Sequence, residues 1–215
     1  MSSVKAKPSL KSATSQANFQ ETELEKATIR FAGDSGDGMQ LTGTRFSETS
    51  VIAGNDVITF PDYPAEIRAP AGTLAGVSSF DLSFSSNEIY TTADSLGVLV
   101  AMNPAALKAN LSDLEKGGIL IVNSDNFAEN DLRKAEYSEN PLETGELSDF
   151  RVVQIPITKL TLKAVEETGL SHRDGSRSKN FFALGVVDWL FVRSLQQTQD
   201  WISAKFKNKP DVAKA

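Results

Sequence analysis

A short β-type run, Thr28-Ile29-Arg30-Phe31-Ala32, passes directly into Gly33-Asp34-Ser35-Gly36-Asp37-Gly38. Apolar residues at Met39, Phe46, Val51 and Ile52 follow at a passable helical spacing, with Gly54 placed to end the helix. A strand that closes in a glycine bend and restarts as a helix is the opening unit of a sheet built with crossover connections. It also predicts where a ligand would lie, because such sheets bind beyond the carboxyl ends of their strands.

The rest of the chain keeps alternating. Val57-Ile58-Thr59-Phe60 reads as a second strand, and Pro61 to Thr73, with its three prolines, reads as a loop. Leu74 to Phe84 alternates as a long strand. Ser85-Ser86-Asn87 would turn it into an antiparallel partner at Glu88-Ile89-Tyr90. Leu96 to Met102 is an unbroken apolar run, as expected of a strand buried on both faces, and Asn103-Pro104 suits the start of a helix through Leu107 and Leu111. Gly117-Gly118 marks a break before the strand Ile119-Leu120-Ile121-Val122. The acidic stretch Phe127 to Asp149 reads as a weakly structured insertion, and Val152 to Ile155 as a last strand. Thr158 is placed to cap a helix running to Glu167, Asn180 to Leu195 reads as a buried helix, and Trp201 to Lys207 as a short amphipathic one. The pattern predicts an α/β fold: an open, mostly parallel Rossmann-like sheet with helices on both faces and an antiparallel hairpin extension. Residues 1–24 read as a disordered tail, 25–195 as the α/β domain, and 196–215 as a C-terminal helix or linker.

Composition narrows the function. With 215 residues, 40% hydrophobic and 23% charged, the chain can bury one sizeable core. Its longest apolar run is far short of the roughly 20 residues that span a bilayer, and no secretory signal precedes the fold, so a cytoplasmic location without membrane partners is expected. The chain has no cysteine, and His172 is its only histidine. Cysteine-ligated clusters, disulfides, His-based metal sites and a Ser-His-Asp triad therefore fall away, leaving no catalytic or metal-ligating set in this chain. A net charge of −6 argues against bulk nucleic-acid binding. Acids concentrate between Glu129 and Asp149, and bases from Arg173 onward, most of them best read as solvated faces.

The glycine bend is chemically mixed. Glycines permit sharp turning and close approach, and a helix N-terminus favours an anion. Yet the spacing is neither the dinucleotide fingerprint nor a P-loop, and Asp34 and Asp37 would oppose a diphosphate unless a cation compensated. Such a bend suits amides, hydroxyls, ribose or a pantetheine arm. Asp37 could equally serve only as a helix cap, a role worth about 1 kcal/mol.

Four segments together resemble one family. Gly33 to Gly43 is similar to the glycine-turn motif of the gamma subunit of 2-oxoacid:ferredoxin oxidoreductases, particularly the 2-oxoglutarate-type branch whose gamma domain is fused ahead of the alpha domain. Phe60 to Thr73, Asp94 to Asn103 and Asn180 to Gly185 are similar to the second, third and fourth motifs, and the resemblance spans about Lys26 to Lys209. It implies an assembly that oxidatively decarboxylates a 2-oxoacid to its acyl-CoA. Thiamine diphosphate, Mg and a 4Fe-4S cluster would belong to the alpha and beta partners, and ferredoxin would take the electrons. The gamma domain would share in the coenzyme A site and in assembly, with residues 196–215 leading toward an alpha domain.

Carried over by motif, Gly36, Asp37 and Gly38 would line that site, with Glu66 and Arg68 on the second loop and Lys179 and Asn180 at the start of the buried helix. Arg68 and Lys179 are the candidate phosphate contacts, Arg173 and Arg177 weaker ones. Arg68 could instead pair with Glu66 or contact a partner, and Asn180 could act as a helix cap. Ser35 and Asp37 stand where many gamma subunits carry Gly and Gln, which favours the 2-oxoglutarate-type branch. Two other readings stay open at this stage: a self-sufficient nicotinamide- or flavin-dependent oxidoreductase, and a purely structural subunit.

Overall fold

The computed structural model describes residues 22–63, 76–91 and 93–215. Its elements in chain order are β1 (Lys26–Asp34), α1 (Met39–Ile52), β2 (Asp56–Asp62), β3 (Val77–Ser85), β4 (Leu96–Ala101), α2 (Pro104–Asn110), β5 (Leu114–Asn123), α3 (Glu129–Lys134), β6 (Arg151–Ile155), α4 (Ile157–Val165), α5 (His172–Gly175), α6 (Lys179–Leu190), α7 (Gln196–Lys205) and α8 (Pro210–Lys214). The six strands form one sheet in the order β2-β3-β1-β4-β5-β6. β1, β4, β5 and β6 pair in parallel, while β3 lies antiparallel between β1 and β2.

Two cores follow from the period-2 alternation of the strands. Ile29 and Phe31 of β1, Phe80, Leu82 and Phe84 of β3, and Val98 and Val100 of β4 meet Phe46 of α1 and Ala183, Leu184 and Val187 of α6. The intervening residues Ala32, Leu99, Ala101, Leu120 and Val122 meet Ala106 and Leu107 of α2 on the other face. β4, buried nearly throughout, supplies both cores, as its unbroken apolar run requires. Phe46 sits at the centre of an aromatic group with ring centroids 6.1 Å from Phe31, 5.6 Å from Phe84 and 5.9 Å from Phe191.

Several local expectations change. Glu88-Ile89-Tyr90 forms no strand; the Ile89 amide donates instead to the Asp56 carboxylate, and β3 finds its partners in β1 and β2. Alternation specified β3 as a strand, but the partners were chosen by the three phenylalanine and leucine side chains it buries on one face. Gly117-Gly118 breaks the pairing without ending the strand: β5 runs through both, but its register against β4 shifts between Leu114 and Ile119, with Gly117 taking φ 79° and donating its amide to the Asp149 carbonyl. The acidic stretch is ordered, because Phe127, Leu132 and Leu147 are buried against the second core. Thr158 lies inside α4 and donates its amide to Asn123 Oδ1; it is not the cap. The buried helix stops at Leu190, short of Leu195, and Val192 just beyond takes a left-handed φ of 53°. Residues 196–214 form α7 and α8, and α7 packs on α1 with Arg45 stacked 4.5 Å over the Trp201 ring. Among the described residues no helix is long and apolar enough to cross a membrane.

Candidate functional site

α1 and α2 cover opposite faces of the sheet, and the strands that precede them, β1 and β4, are neighbours. The chain therefore leaves their carboxyl ends in two directions, the kind of place where α/β sheets bind ligands. The glycine bend sits there, and the sheet register fixes what surrounds it. Gly33 and Asp34 lie opposite Ser78 and Val77 of β3, and the Met102 amide donates to the Ala32 carbonyl at 2.9 Å.

Within the bend, the Asp37 amide donates to the Asp34 carbonyl at 2.9 Å. Gly38 holds the position before α1 with φ 78°, a left-handed conformation that disfavours a side chain, and a Cβ there would come within 2.7 Å of Asn180 Nδ2. A glycine is thus demanded twice at one place, by backbone and by neighbour. Thr42 closes the joint between α1 and α6, its hydroxyl within bonding reach of the carbonyls of Gly38 and Asn180 at 3.2 and 3.3 Å. Gly36 is exposed, with nothing near the place a side chain would occupy, so its backbone is open to close approach.

The charges are arranged in pairs. Lys179 Nζ, at the start of α6, lies 2.7 Å from Asp37 Oδ1, with side-chain exposures of 20% and 11%. The other Asp37 oxygen accepts from the Asp34 amide at 3.3 Å. Asp37 is therefore held by Lys179 and by its own turn and does not cap α1, which has no side-chain cap. Asp34 Oδ1 accepts from Asn103 Nδ2 at 2.7 Å, while Asn103 Oδ1 accepts from the Ala106 amide at 2.8 Å as the cap of α2. One side chain thus starts α2 and holds Asp34. Desolvation first, and then the Asp37 charge, push the Asp34 carboxyl above its ordinary range; the bond from Asn103 and the charges of Lys179 and Lys134 pull it back. Two carboxylates against one ammonium leave the bend with an excess acid.

Of the expected site residues, Gly36, Asp37, Gly38, Lys179 and Asn180 come together here. Asn180 is 5% exposed and sits inside the first turn of α6, not at its cap; its Oδ1 has no hydrogen-bond partner among the described residues. A buried amide oxygen without a donor calls for one from a ligand or a water. Glu66 and Arg68 lie outside the described residues, but the described chain breaks off after Tyr63 and resumes at Gly76, and the next residue, Val77, is paired with Asp34. Arg173, Arg177 and His172 are exposed on or just beyond α5, with Arg177 3.5 Å from Asp174. The sequence reading took Asn103 as a helix start and as the end of the third motif but did not name it as a site residue; its position after β4, the strand next to β1, is what brings it to the bend. Arg30, by contrast, faces a cleft on the body of the sheet and is engaged by Asp81 at 2.6 Å, Asp113 at 2.5 Å and Asn110 at 3.1 Å. That cation is already committed. Among the described residues no group of three or more acidic, histidine or cysteine side chains is placed to hold a metal ion.

Residues 28–215 match the family described as pyruvate ferredoxin/flavodoxin oxidoreductase. Over 192 residues the chain is 56% identical to the 2-oxoglutarate oxidoreductase subunit KorA of Mycobacterium tuberculosis, a match covering 89% of this chain and 29% of that protein. It is 34% identical over 107 residues to the 2-oxoglutarate synthase subunit KorC of Methanothermobacter marburgensis, covering 49% of this chain and 54% of the relative. A solved 2-oxoglutarate:ferredoxin oxidoreductase from Magnetococcus marinus, with 2-oxoglutarate, coenzyme A and succinyl-CoA bound, superimposes with a TM-score of 0.66 at 26% identity, covering 89% of this chain and 29% of that one. The gamma subunit of a keto/oxoacid ferredoxin oxidoreductase from Geobacter sulfurreducens shares the fold, with a TM-score of 0.55 at 20% identity, covering 83% of this chain and 84% of that one. The chain thus spans under a third of the Mycobacterium and Magnetococcus relatives.

Proposed function

Because the chain belongs to the pyruvate ferredoxin/flavodoxin oxidoreductase family, we propose that it is the coenzyme A-contacting component of an assembly that oxidatively decarboxylates a 2-oxoacid. The favoured substrate is 2-oxoglutarate, the 2-oxoacid for which its Mycobacterium and Magnetococcus relatives are named. Carbon dioxide leaves the 2-oxoacid, the acyl group forms a thioester with coenzyme A, and the electron pair released passes through the assembly to ferredoxin. Thiamine diphosphate, Mg and the 4Fe-4S cluster are assigned to alpha and beta partner domains, in keeping with a chain that has no cysteine. The expected setting is the cytoplasm, with no membrane or nucleic-acid partner.

The observation that carries this reading is the meeting of three separated motifs at one strand end. Asp34, Asp37 and Gly38 from the first, Asn103 from the third, and Lys179 and Asn180 at the start of the fourth lie together at the bend. Residues up to 146 positions apart in sequence (Asp34 to Asn180) meet at the strand ends, beyond which α/β sheets bind ligands. In the proposed site, the open backbone at Gly36 and the first turn of α1 approach the ligand, Asn180 Oδ1 accepts from it, and Lys179 screens Asp37 so that a coenzyme with phosphates is tolerated nearby. Arg68 is the second candidate cation for those phosphates.

Titrating coenzyme A into the assembled complex tests the site. Lys179→Met leaves Asp37 unscreened and is expected to weaken coenzyme A binding by about tenfold or more, the scale of one lost charged contact. If Lys179→Met and Arg68→Ala both bind coenzyme A with wild-type affinity, the chain is a structural subunit and the reading is wrong.

A further inference from the structure

Across three strands, Ile58 of β2, Ser83 of β3 and Thr28 of β1 form one row, and Phe60, Asp81 and Arg30 form the next. Residues directly opposite in antiparallel strands share a face, so both rows line the same side of the sheet. With Asp94 just before β4 and Asp113 just before β5, they wall a cleft of about 190 Å³. Arg30 donates from Nε and Nη2 to the two oxygens of Asp81, each at 2.6 Å, and from Nη1 to Asp113. Asp94 is exposed and has no hydrogen bond or ion pair among the described residues. Three carboxylates against one guanidinium leave the cleft wall with an excess of negative charge. Beside them stand Phe60, 64% exposed, and the half-buried Ile58, which make an apolar wall at the edge strand. The buried Thr28 and Ser83 hydroxyls bond one another at 3.1 Å and keep lone pairs to offer a donor.

We propose that this cleft is a docking pocket for a lysine or arginine side chain presented by a partner domain of the assembly, its stem laid on Phe60 and Ile58 and its cation among Asp81, Asp94 and Asp113. The inference rests on the reading of the chain as a component of an assembly, and goes beyond it by naming a contact surface and the chemistry it selects. The excess of acid disfavours an anion. At about 190 Å³ the cleft is smaller than the roughly 300–1,000 Å³ of sites that enclose a small molecule. Its acids are not grouped to hold a metal ion. A long basic side chain meets both halves of the wall, the aliphatic stem on the apolar residues and the charged head at the carboxylates. Asp81 and Asp113 already share Arg30, so Asp94 carries the largest part of the attraction.

The test is hydroxyl-radical footprinting of the full chain, alone and in the assembled complex, together with the affinity of Phe60→Ala and Asp94→Lys chains for the partner domains. Oxidation of Phe60 is expected to fall by about fivefold or more on assembly, and each substitution to weaken the complex by about tenfold, the scale of a lost aromatic contact or a reversed charge at an interface. Raising salt is expected to weaken the wild-type complex more than the Asp94→Asn complex. Both side chains are exposed, so the variants are expected to keep the wild-type urea midpoint. A complex that forms with Phe60 oxidised as fast as in the free chain overturns the pocket and leaves the assembly reading standing. Protection of Phe60 with wild-type affinity in Asp94→Lys and unaltered salt dependence overturns the basic occupant, the contact then being apolar. Protection that already appears in the free chain and grows with its concentration assigns the surface to a second copy and also overturns the proposal. If no partner domain is retained at all, the proposal and the reading it rests on fall together.

Discussion

Asp188 shows how much one side chain can cost this fold. It lies in α6 with no exposure, and neither carboxylate oxygen has a hydrogen-bond partner among the described residues. The Thr49 hydroxyl is close enough to oppose the shift, but it donates to the Phe46 carbonyl at 3.0 Å. Arg193 attracts the carboxylate by charge, yet its own guanidinium is drawn to Asn55 Oδ1 at 2.6 Å and stacks 5.0 Å from the Phe84 ring centroid. Burial wins over both, and the Asp188 carboxyl is pushed up to about 6. The unfolded carboxyl titrates near ~4, so the folded state holds its proton over the interval between. Stability is therefore complete below about pH 4, falls as pH rises to about 6, and stays reduced above it. Asp188→Asn is expected to remove that fall and stabilise the chain by roughly 2–3 kcal/mol at about pH 7, with little effect at about pH 4. Urea unfolding of both proteins at the two pH values checks it; an equal difference at both would mean the carboxyl is not the cause. Legibility at this scale was uneven. Glycine at 38, an acid at 37 and a base at 179 could be picked out because residue type and motif spacing mark them. The pairing of Lys179 with Asp37, and of Asn103 with Asp34, could not, since each joins positions separated by 69 or more residues.

At the level of elements, α1 lies unusually close to the sheet. A Cβ at Gly43 would overlap the Phe80 ring of β3, so this glycine is required by a neighbour and not by its backbone angles. Gly43→Ala is expected to lower stability by about 1–3 kcal/mol, the cost of forcing a methyl group into a filled core, and Gly43→Val by more. Thermal or urea unfolding measures the loss; a wild-type midpoint would mean that α1 can move off β3 freely. The same contact explains why periodicity recognised α1 and β3 separately but misplaced the partner of β3. Alternation reports that a strand has a buried face, and says nothing about which strand donates to it. The acidic stretch failed in the opposite direction. Its charges hid Phe127, Leu132 and Leu147, three anchors too widely spaced to register as a period but sufficient to order it on the second core. The end of α6 was misjudged because apolar residues continue to Leu195 after the helix stops, the chain being turned out at Val192 and tied back through Arg193.

For the whole molecule, the decisive fact is that a chain covering under a third of its Mycobacterium and Magnetococcus relatives carries, on the proposed reading, only one side of a shared pocket. Purified alone, it is expected to show no turnover of 2-oxoglutarate with coenzyme A and ferredoxin and no visible absorbance of a retained redox cofactor; turnover by the isolated chain would contradict the proposed division of labour. Sequence by itself determined the alternation of strands and helices, the place of the glycine bend at a strand end, the absence of cysteine ligands and the family motifs. All of these are written in local residue type and short spacing, which the chain carries whether folded or not. Only the tertiary structure decided that β3 enters the sheet between β1 and β2, that Lys179 is spent on Asp37, and that Asn103 holds Asp34. Those contacts join residues far apart in the chain, and they exist because burying two faces of one sheet leaves the strand ends a single arrangement in which to meet.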